Sequence, residues 1–320
     1  MRAFACPVCR HLVTFESVRC LHCSSELAFD PDPREIVASG LRCANEERAA
    51  CNWLAVPGEL CASCALTTVR PGDDDPVGLA AFPAAEAAKR RLLFTLGELG
   101  LPWGGLSFRL LSSEHEPVMT GHADGVVTLD LAEADPASRE QRRTELDEPY
   151  RTVLGHLRHE VGHYFQDVLV PEGSVARDAC RALFGDDRAD YQAAIDRHYA
   201  EGPPADWGER FVSAYATMHP WEDWAETFAH YLHIRDALQT ATAHGLRTDG
   251  PDVDVADEAP LEAEPREEGD IRELLDAWLP LTYALNAMSR SLGSPDVYPF
   301  VLSPAVVEKL GFVHRLVTVR

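Results

Sequence analysis

The chain is 320 residues long and carries 29 lysines and arginines against 52 aspartates and glutamates, a formal net charge of −23. Nine of those 23 units sit in residues 249–270, and no stretch approaches the roughly 18 apolar residues that a membrane span requires. The length suits one small metal-held module and one domain large enough to bury a proper core.

Eight of the nine cysteines fall within the first 64 residues and form two sets of four. Cys6-Pro-Val-Cys9 and Cys20-Leu-His-Cys23 are paired C-x-x-C knuckles, a spacing that turns four thiolates toward one tetrahedral zinc. Cys43, Cys51 and the Cys61-Ala-Ser-Cys64 knuckle complete a second four-cysteine set, and an interleaved sharing of ligands between the two ions stays open. Residues 1–70 are therefore expected to be a zinc-ribbon module, because a segment this small needs metal to hold it together. The chain begins Met1-Arg-Ala-Phe-Ala-Cys6, which leaves no room for a signal peptide before the first ligand. A reducing cytoplasm is the expected location, and disulfides are disfavoured. Seven arginines, no lysine and eight acids in this module leave no basic stripe for phosphates. No nucleic acid partner is expected, and the ribbon reads as a structural cap or a docking module for a protein partner.

Residues 71–79, with Arg70-Pro-Gly-Asp-Asp-Asp-Pro76 at their start, read as a linker to a domain spanning 80–320. That domain opens with a helix over 81–96 and a strand over 106–111, followed by strands 118–122 and 126–131 joined by the two-residue turn Asp124-Gly125. Asp135-Pro136 marks a helix start, and Pro149 is placed to open the next helix.

That next helix contains His159-Glu160-Val161-Gly162-His163. Positions four apart share a helical face, so both imidazoles can reach one zinc while Glu160 turns toward a water in the open coordination position. The surrounding Val153, Leu154, Leu157, Val161, Tyr164, Phe165, Val168 and Leu169 make this a buried helix, where two histidines and a glutamate without a metal would be costly. A third ligand must come from elsewhere. Continuation of the motif toward a third histidine fails, since Gln166 and Leu169 stand where glycine and histidine would be needed. Downstream, Glu222 and Glu226 lie four apart and hence on one face. One can bind zinc while the other braces a ligating histidine, and spacing alone does not separate them. His230 shares that face and remains a rival ligand, while Cys180 reads as a small buried apolar residue.

Residues 248–270 hold ten acids and three prolines against the single Arg266, and read as a mobile acidic insertion. The periodic segment 271–292 beyond it reads as a helix ending near Gly293, on which Asn286 and Arg290 are candidates for holding a substrate carboxylate.

The segment Glu222-Asp-Trp-Ala-Glu226-Thr-Phe228, with Tyr215 seven residues upstream, resembles the gluzincin peptidases and more closely their lethal-factor-like branch. The likeness to bacterial zinc-binding metallopeptidases with an N-terminal double zinc ribbon extends further. It takes in Cys51-Asn-Trp-Leu54, Gly121-His-Ala-Asp-Gly125, Tyr150-Arg-Thr-Val-Leu-Gly-His156 and Tyr298-Pro-Phe-Val-Leu-Ser303. The resemblance implies Glu222 as third ligand, Glu226 bracing a histidine, and Tyr215 steadying the oxyanion. It also implies that residues 121–127, with His122, form a cleft-edge strand along which a peptide can lie. The fold expected is α+β: a zincin-like catalytic domain with a small sheet and a largely helical C-terminal part, behind the cysteine-rich ribbon. The activity expected is zinc-dependent hydrolysis of peptides or proteins with Glu160 as general base, one catalytic and two structural zinc ions, and no membrane partner. The competing reading is a catalytically silent zinc-stabilised scaffold, and peptide cleavage that depends on Glu160 separates the two.

Overall fold

A computed structural model describes residues 1–114, 117–135, 152–248 and 269–318. The fold is mixed α+β with small sheets and a cysteine-rich, zinc-ribbon-like N-terminal region. It divides into two compact units, Met1–Leu157 and Arg158–Arg320.

In the first unit, β1 (Phe4–Ala5) and β2 (Leu12–Val13) pair antiparallel around the first knuckle. The Arg10 amide donates to the Cys6 carbonyl at 2.9 Å and the Ser24 amide to that of Cys20 at 2.9 Å. Arg10 and Ser24 both take the left-handed backbone conformation, with φ of 66° and 62°, so the two knuckles are copies of one turn. Beyond them β3 (Ala28–Asp30) and β4 (Glu35–Val37) form a second antiparallel pair. Phe4, Phe15 and Phe29 cluster with Phe94, the Phe15–Phe94 centroids lying 5.4 Å apart. Phe94 belongs to α1 (Pro76–Glu98), so the ribbon's aromatic core is completed by a helix from outside residues 1–70.

Residues 71–79 lie within the first compact unit. β5 (Thr67–Val69) runs parallel to β6 (Ser107–Leu111), and α1 starts five residues earlier than periodicity places it, because Asp75 caps the Gly78 amide and Pro76 occupies the first helical position. The four-stranded sheet has the order β5-β6-β8-β7, with β7 at Gly121–Ala123 and β8 at Val126–Asp130. Asp124 and Gly125 both have positive φ, 50° and 78°, as a two-residue hairpin turn of this kind requires. β7 is shorter than the expected 118–122. At Thr120 the side-chain hydroxyl, rather than the backbone, accepts the Asp130 amide at 3.1 Å, and the ladder stops there. The expected helix start at Pro136, the helix-opening Pro149 and nearly all of the acidic insertion lie outside the described residues.

The second unit is helical. Most of α2 (Val153–Leu169), including every H-E-x-x-H residue, belongs to it, followed by α3 (Val175–Phe184), α4 (Tyr191–Glu201), α5 (Pro220–Ala243), α6 (Ile271–Ser291) and α7 (Pro304–Thr318). Ser174 and Asp190 cap α3 and α4 through their side chains, and His219 caps α5 ahead of Pro220. Where α2 meets α5, a Cβ on Gly162 would come within 3.0 Å of the Ala225 Cα. Glycine thus permits the close crossing that sets the two histidines against Glu222 and Glu226. The Trp224 indole locks that crossing by donating to the Gly162 carbonyl at 2.8 Å, and Phe165 stacks on Phe228 beside it. Buried Lys309 of α7 donates to Asp223 at 2.6 Å and to the Arg210 carbonyl at 2.7 Å, which fixes the start of α5.

Candidate metal centres

All nine cysteines are free of disulfides. Within the first set, sulfurs of Cys6 and Cys23 are 3.7 Å apart and those of Cys9 and Cys20 are 3.5 Å apart. In the second, Cys51 and Cys61 are 3.6 Å apart. These separations are far too long for disulfides, yet they match the edge of about 3.8 Å of a tetrahedron drawn around zinc with bonds of about 2.3 Å. The donor chemistry and spacing therefore fit zinc. The sets are sequential, Cys6/Cys9/Cys20/Cys23 and Cys43/Cys51/Cys61/Cys64, and not interleaved.

Their surroundings differ. Cys9 and Cys23 are half-buried, whereas all four cysteines of the second set are buried, with backbone amides of Cys61 and Asn45 donating to the Cys43 sulfur. Buried cations stand beside that set. Arg90 donates to the carbonyls of Ala49 and Ala50, next to Cys51, while Lys89 pairs with Glu86, whose other oxygen lies 3.7 Å from the Cys64 sulfur.

The third donor cluster is built by α2 and α5. His159 Nε2 is 2.9 Å from Glu222 Oε2 and 3.2 Å from His163 Nε2, and His163 Nε2 is 3.5 Å from the same Glu222 oxygen. Three buried donors thus converge at the spacing expected for nitrogen and oxygen bound at about 2.0–2.1 Å to a common ion. Glu226 meets the other ring nitrogen, with His159 Nδ1–H donating to its Oε1 at 2.7 Å, and Ser213 donates to its second oxygen at 2.6 Å. The Tyr191 hydroxyl donates to Glu222 Oε1 at 2.7 Å. Trp221 lies over the His163 ring at 3.7 Å. Tyr215, in a short 3-10 turn at Tyr215–Thr217, places its ring 5.9 Å from that of His159.

Two carboxylates face the His159 ring, one at each of its nitrogens. Burial disfavours a charged His159, but hydrogen bonds to Glu222 and Glu226 outweigh it and raise its pKa well above the ordinary value. Burial likewise opposes charge on Glu222, yet His159 and His163 hold its carboxyl below the usual range, and the same contest leaves Glu226 at about 2. Burial, with the neighbouring Glu222, drives the Tyr215 and Tyr191 hydroxyls far above their ordinary pKa, so both remain proton donors. Glu160 is buried and close enough to both tyrosines to add to that rise.

Several residues singled out from the sequence lie elsewhere in the contact network. His122 Nε2 accepts the Gly125 amide at 3.0 Å, a contact internal to the β7–β8 turn. Asn286 is buried, and its carboxamide engages both backbone groups of Tyr298, donating at 2.8 Å and accepting at 3.1 Å. Arg290 is exposed and pairs with Asp296. Both ends of the Asn286 amide are thus engaged by the 298 backbone. His230 bonds the Tyr298 hydroxyl at 2.6 Å, apart from the three converging donors. Cys180 is buried, and burial pushes its thiol up to about 11. Sequence reasoning missed Tyr191 and Ser213. Neither sits at a helical spacing from the glutamate it supports, and Tyr191 is 31 residues from Glu222.

A family model described as "putative zinc-binding metallo-peptidase" matches residues 78–316, and a zinc-ribbon domain model matches residues 3–41. The chain belongs to this zinc-binding metallopeptidase family. Proteins of Mycobacterium tuberculosis (strains H37Rv and CDC 1551) and Mycobacterium bovis, each named only as an uncharacterized protein, are 50% identical to it over 334 residues, covering 99% of this chain and 95% of theirs. No solved structure matches the chain. Among the described residues, no helix is long and apolar enough to cross a membrane.

Proposed function

We propose that the protein is a gluzincin-type, lethal-factor-like peptide hydrolase in which His159, His163 and Glu222 hold the catalytic zinc and Glu160 is the general base. The observation that carries this reading is the convergence of two Nε2 atoms and one Glu222 oxygen beside a buried glutamate on the same helix. Three protein donors leave a fourth position open, the mark of a catalytic zinc site rather than a structural one. Two further zinc ions occupy the four-cysteine sets, giving three per chain.

When bound, zinc supplies Lewis acidity that polarises the scissile carbonyl and lowers the pKa of water. Glu160 takes the proton from the attacking water on its carboxylate and delivers it to the departing amine. Tyr215, kept protonated by burial, donates its hydroxyl to the oxyanion of the tetrahedral species. Glu226 accepts from His159 Nδ1–H, which directs the Nε2 lone pair toward the donor cluster, and Ser213 holds Glu226 in place. Tyr191 does the same for Glu222 through its Oε1. A reducing compartment accords with eight free thiols arranged as ligands, and peptide or protein substrates accord with the metallopeptidase family match.

The test is a digest of a mixed peptide library with wild type, Glu160→Gln and Tyr215→Phe. Glu160→Gln keeps volume and hydrogen bonding, so zinc content and melting temperature should stay at wild-type values while hydrolysis falls by about 10²–10⁴-fold. Tyr215→Phe removes one oxyanion donor, worth roughly 2.7–4 kcal/mol in comparable sites. Cleavage by Glu160→Gln at the wild-type rate would overturn the assignment and favour a silent zinc-stabilised scaffold.

A further inference from the structure

The ribbon carries two histidines that the three zinc sites leave unused, set beside one sulfur of the first cysteine set. His11 lies two residues beyond Cys9 and His22 immediately before Cys23, so each knuckle of the first cysteine set contributes one imidazole. Both histidines are exposed, yet their rings stack with centroids 3.4 Å apart and planes at 15°. The overlap holds one imidazole from each knuckle side by side. His11 Nδ1 also lies 3.3 Å from the Cys9 carbonyl oxygen, which ties the ring to the knuckle. One nitrogen from each ring and the Cys9 sulfur all lie within 4.8 Å of one another.

We propose that His11, His22 and the Cys9 thiolate form an auxiliary zinc site on the ribbon surface, bridged by Cys9 to the first four-cysteine site and serving as the route by which that site exchanges its metal. Imidazole and thiolate are donors that suit zinc, and a thiolate has lone pairs enough to bridge two ions. The donors need close by only about 1 Å to reach ligand spacing, a shift that exposed side chains make by small torsional changes. Arg10 and Arg19 lie beside these knuckles in sequence and are exposed, so the added ion is held weakly, as an exchange site requires. A second cation at Cys9 draws charge from its thiolate and weakens that sulfur's hold on the first ion. The second four-cysteine set has all its sulfurs buried and no histidine among its clustered donors, so it lacks such a route.

The experiment titrates the zinc-loaded full chain with further zinc against a chromophoric chelator, beside His11→Ala/His22→Ala. Wild type should take up one more zinc ion than the double variant. On challenge with cadmium, the more rapidly exchanging ribbon zinc should leave about tenfold faster from wild type. An unchanged melting temperature checks that the variant folds, and the single change His22→Gln gives the same comparison should the double variant fail. Equal zinc uptake by wild type and variant, or equal exchange rates, would overturn the proposal.

Discussion

The two cysteine sets and the histidine–glutamate cluster converge similar numbers of donors by opposite structural means. The cysteines come from turns, loops and one short 3-10 turn, four per set, and in the second set backbone amides of Asn45 and Cys61 donate to the Cys43 sulfur. The histidines and Glu222 come from the middle of one long helix and the start of another, three donors in all, and each is braced by a neighbour: Glu226, Trp221 or Tyr191. Where the metal supplies the order, four ligands close the site. Where helices supply it, three donors converge, and under the proposed function a coordination position is left for chemistry.

The sharpest way to break this comparison is to delete a ligand from each kind of site. Cys51→Ser should unfold the region around the second set, because structural zinc binding contributes on the order of 10 kcal/mol in small modules. His159→Ala should lose one of three ions by elemental analysis while keeping a cooperative thermal transition. Cys9→Ser, at a half-buried position, should fall between them. If His159→Ala unfolds the chain as completely as Cys51→Ser, the distinction between metal-ordered and helix-ordered sites is wrong.

A second comparison lies within the helical site. Glu222→Ala removes a donor and should abolish tight zinc binding there. Glu226→Ala only frees the His159 ring, for a loss of about 10–100-fold in affinity or activity. Competition with a chelator ranks them, and a weaker Glu226→Ala would reverse the roles proposed for the two glutamates.

A further effect concerns acid. Burial, against the opposing pull of Glu226, lowers His230 to about 4, and burial with the nearby Arg158 lowers His233 well below its ordinary value. In the unfolded chain a histidine titrates near 6.5, so between about 4 and 6.5 the unfolded state binds more protons. Stability therefore rises with pH through that window and is lost on acidification, by at most about 3 kcal/mol for His230. Denaturant melts of His230→Gln across this range should show a shallower slope than wild type, by up to one proton. Parallel slopes would mean that His230 is protonated in the folded protein.

The local features are legible because they depend on neighbours in sequence. Four-residue spacing puts His159 and His163 on one helical face, a C-x-x-C turn brings two sulfurs together, and Asp124-Gly125 takes the positive φ values that close its hairpin. Periodicity places the α1 boundary five residues late because the apolar pattern begins only after the capping turn at Asp75. The separation of a ribbon from a following domain at 71–79 likewise rests on local polarity. The pairing of β5 with β6 and the packing of Phe94 on Phe15 depend instead on residues far apart in the chain.

What the sequence determined by itself was the inventory: two sets of four thiols, two histidines and a glutamate on one helix, and two more glutamates on another, since each is fixed by covalent spacing and helical period. Tertiary structure alone decided how the inventory is used. The close crossing at Gly162 puts Glu222 against both Nε2 atoms and Glu226 against the far side of the His159 ring, two positions that a four-residue spacing cannot tell apart. It also brought Tyr191 from 31 residues away onto Glu222 and gave the Asn286 amide to the Tyr298 backbone. Such contacts depend on how helices pack, which is set by side chains distributed over the whole unit rather than by any short motif.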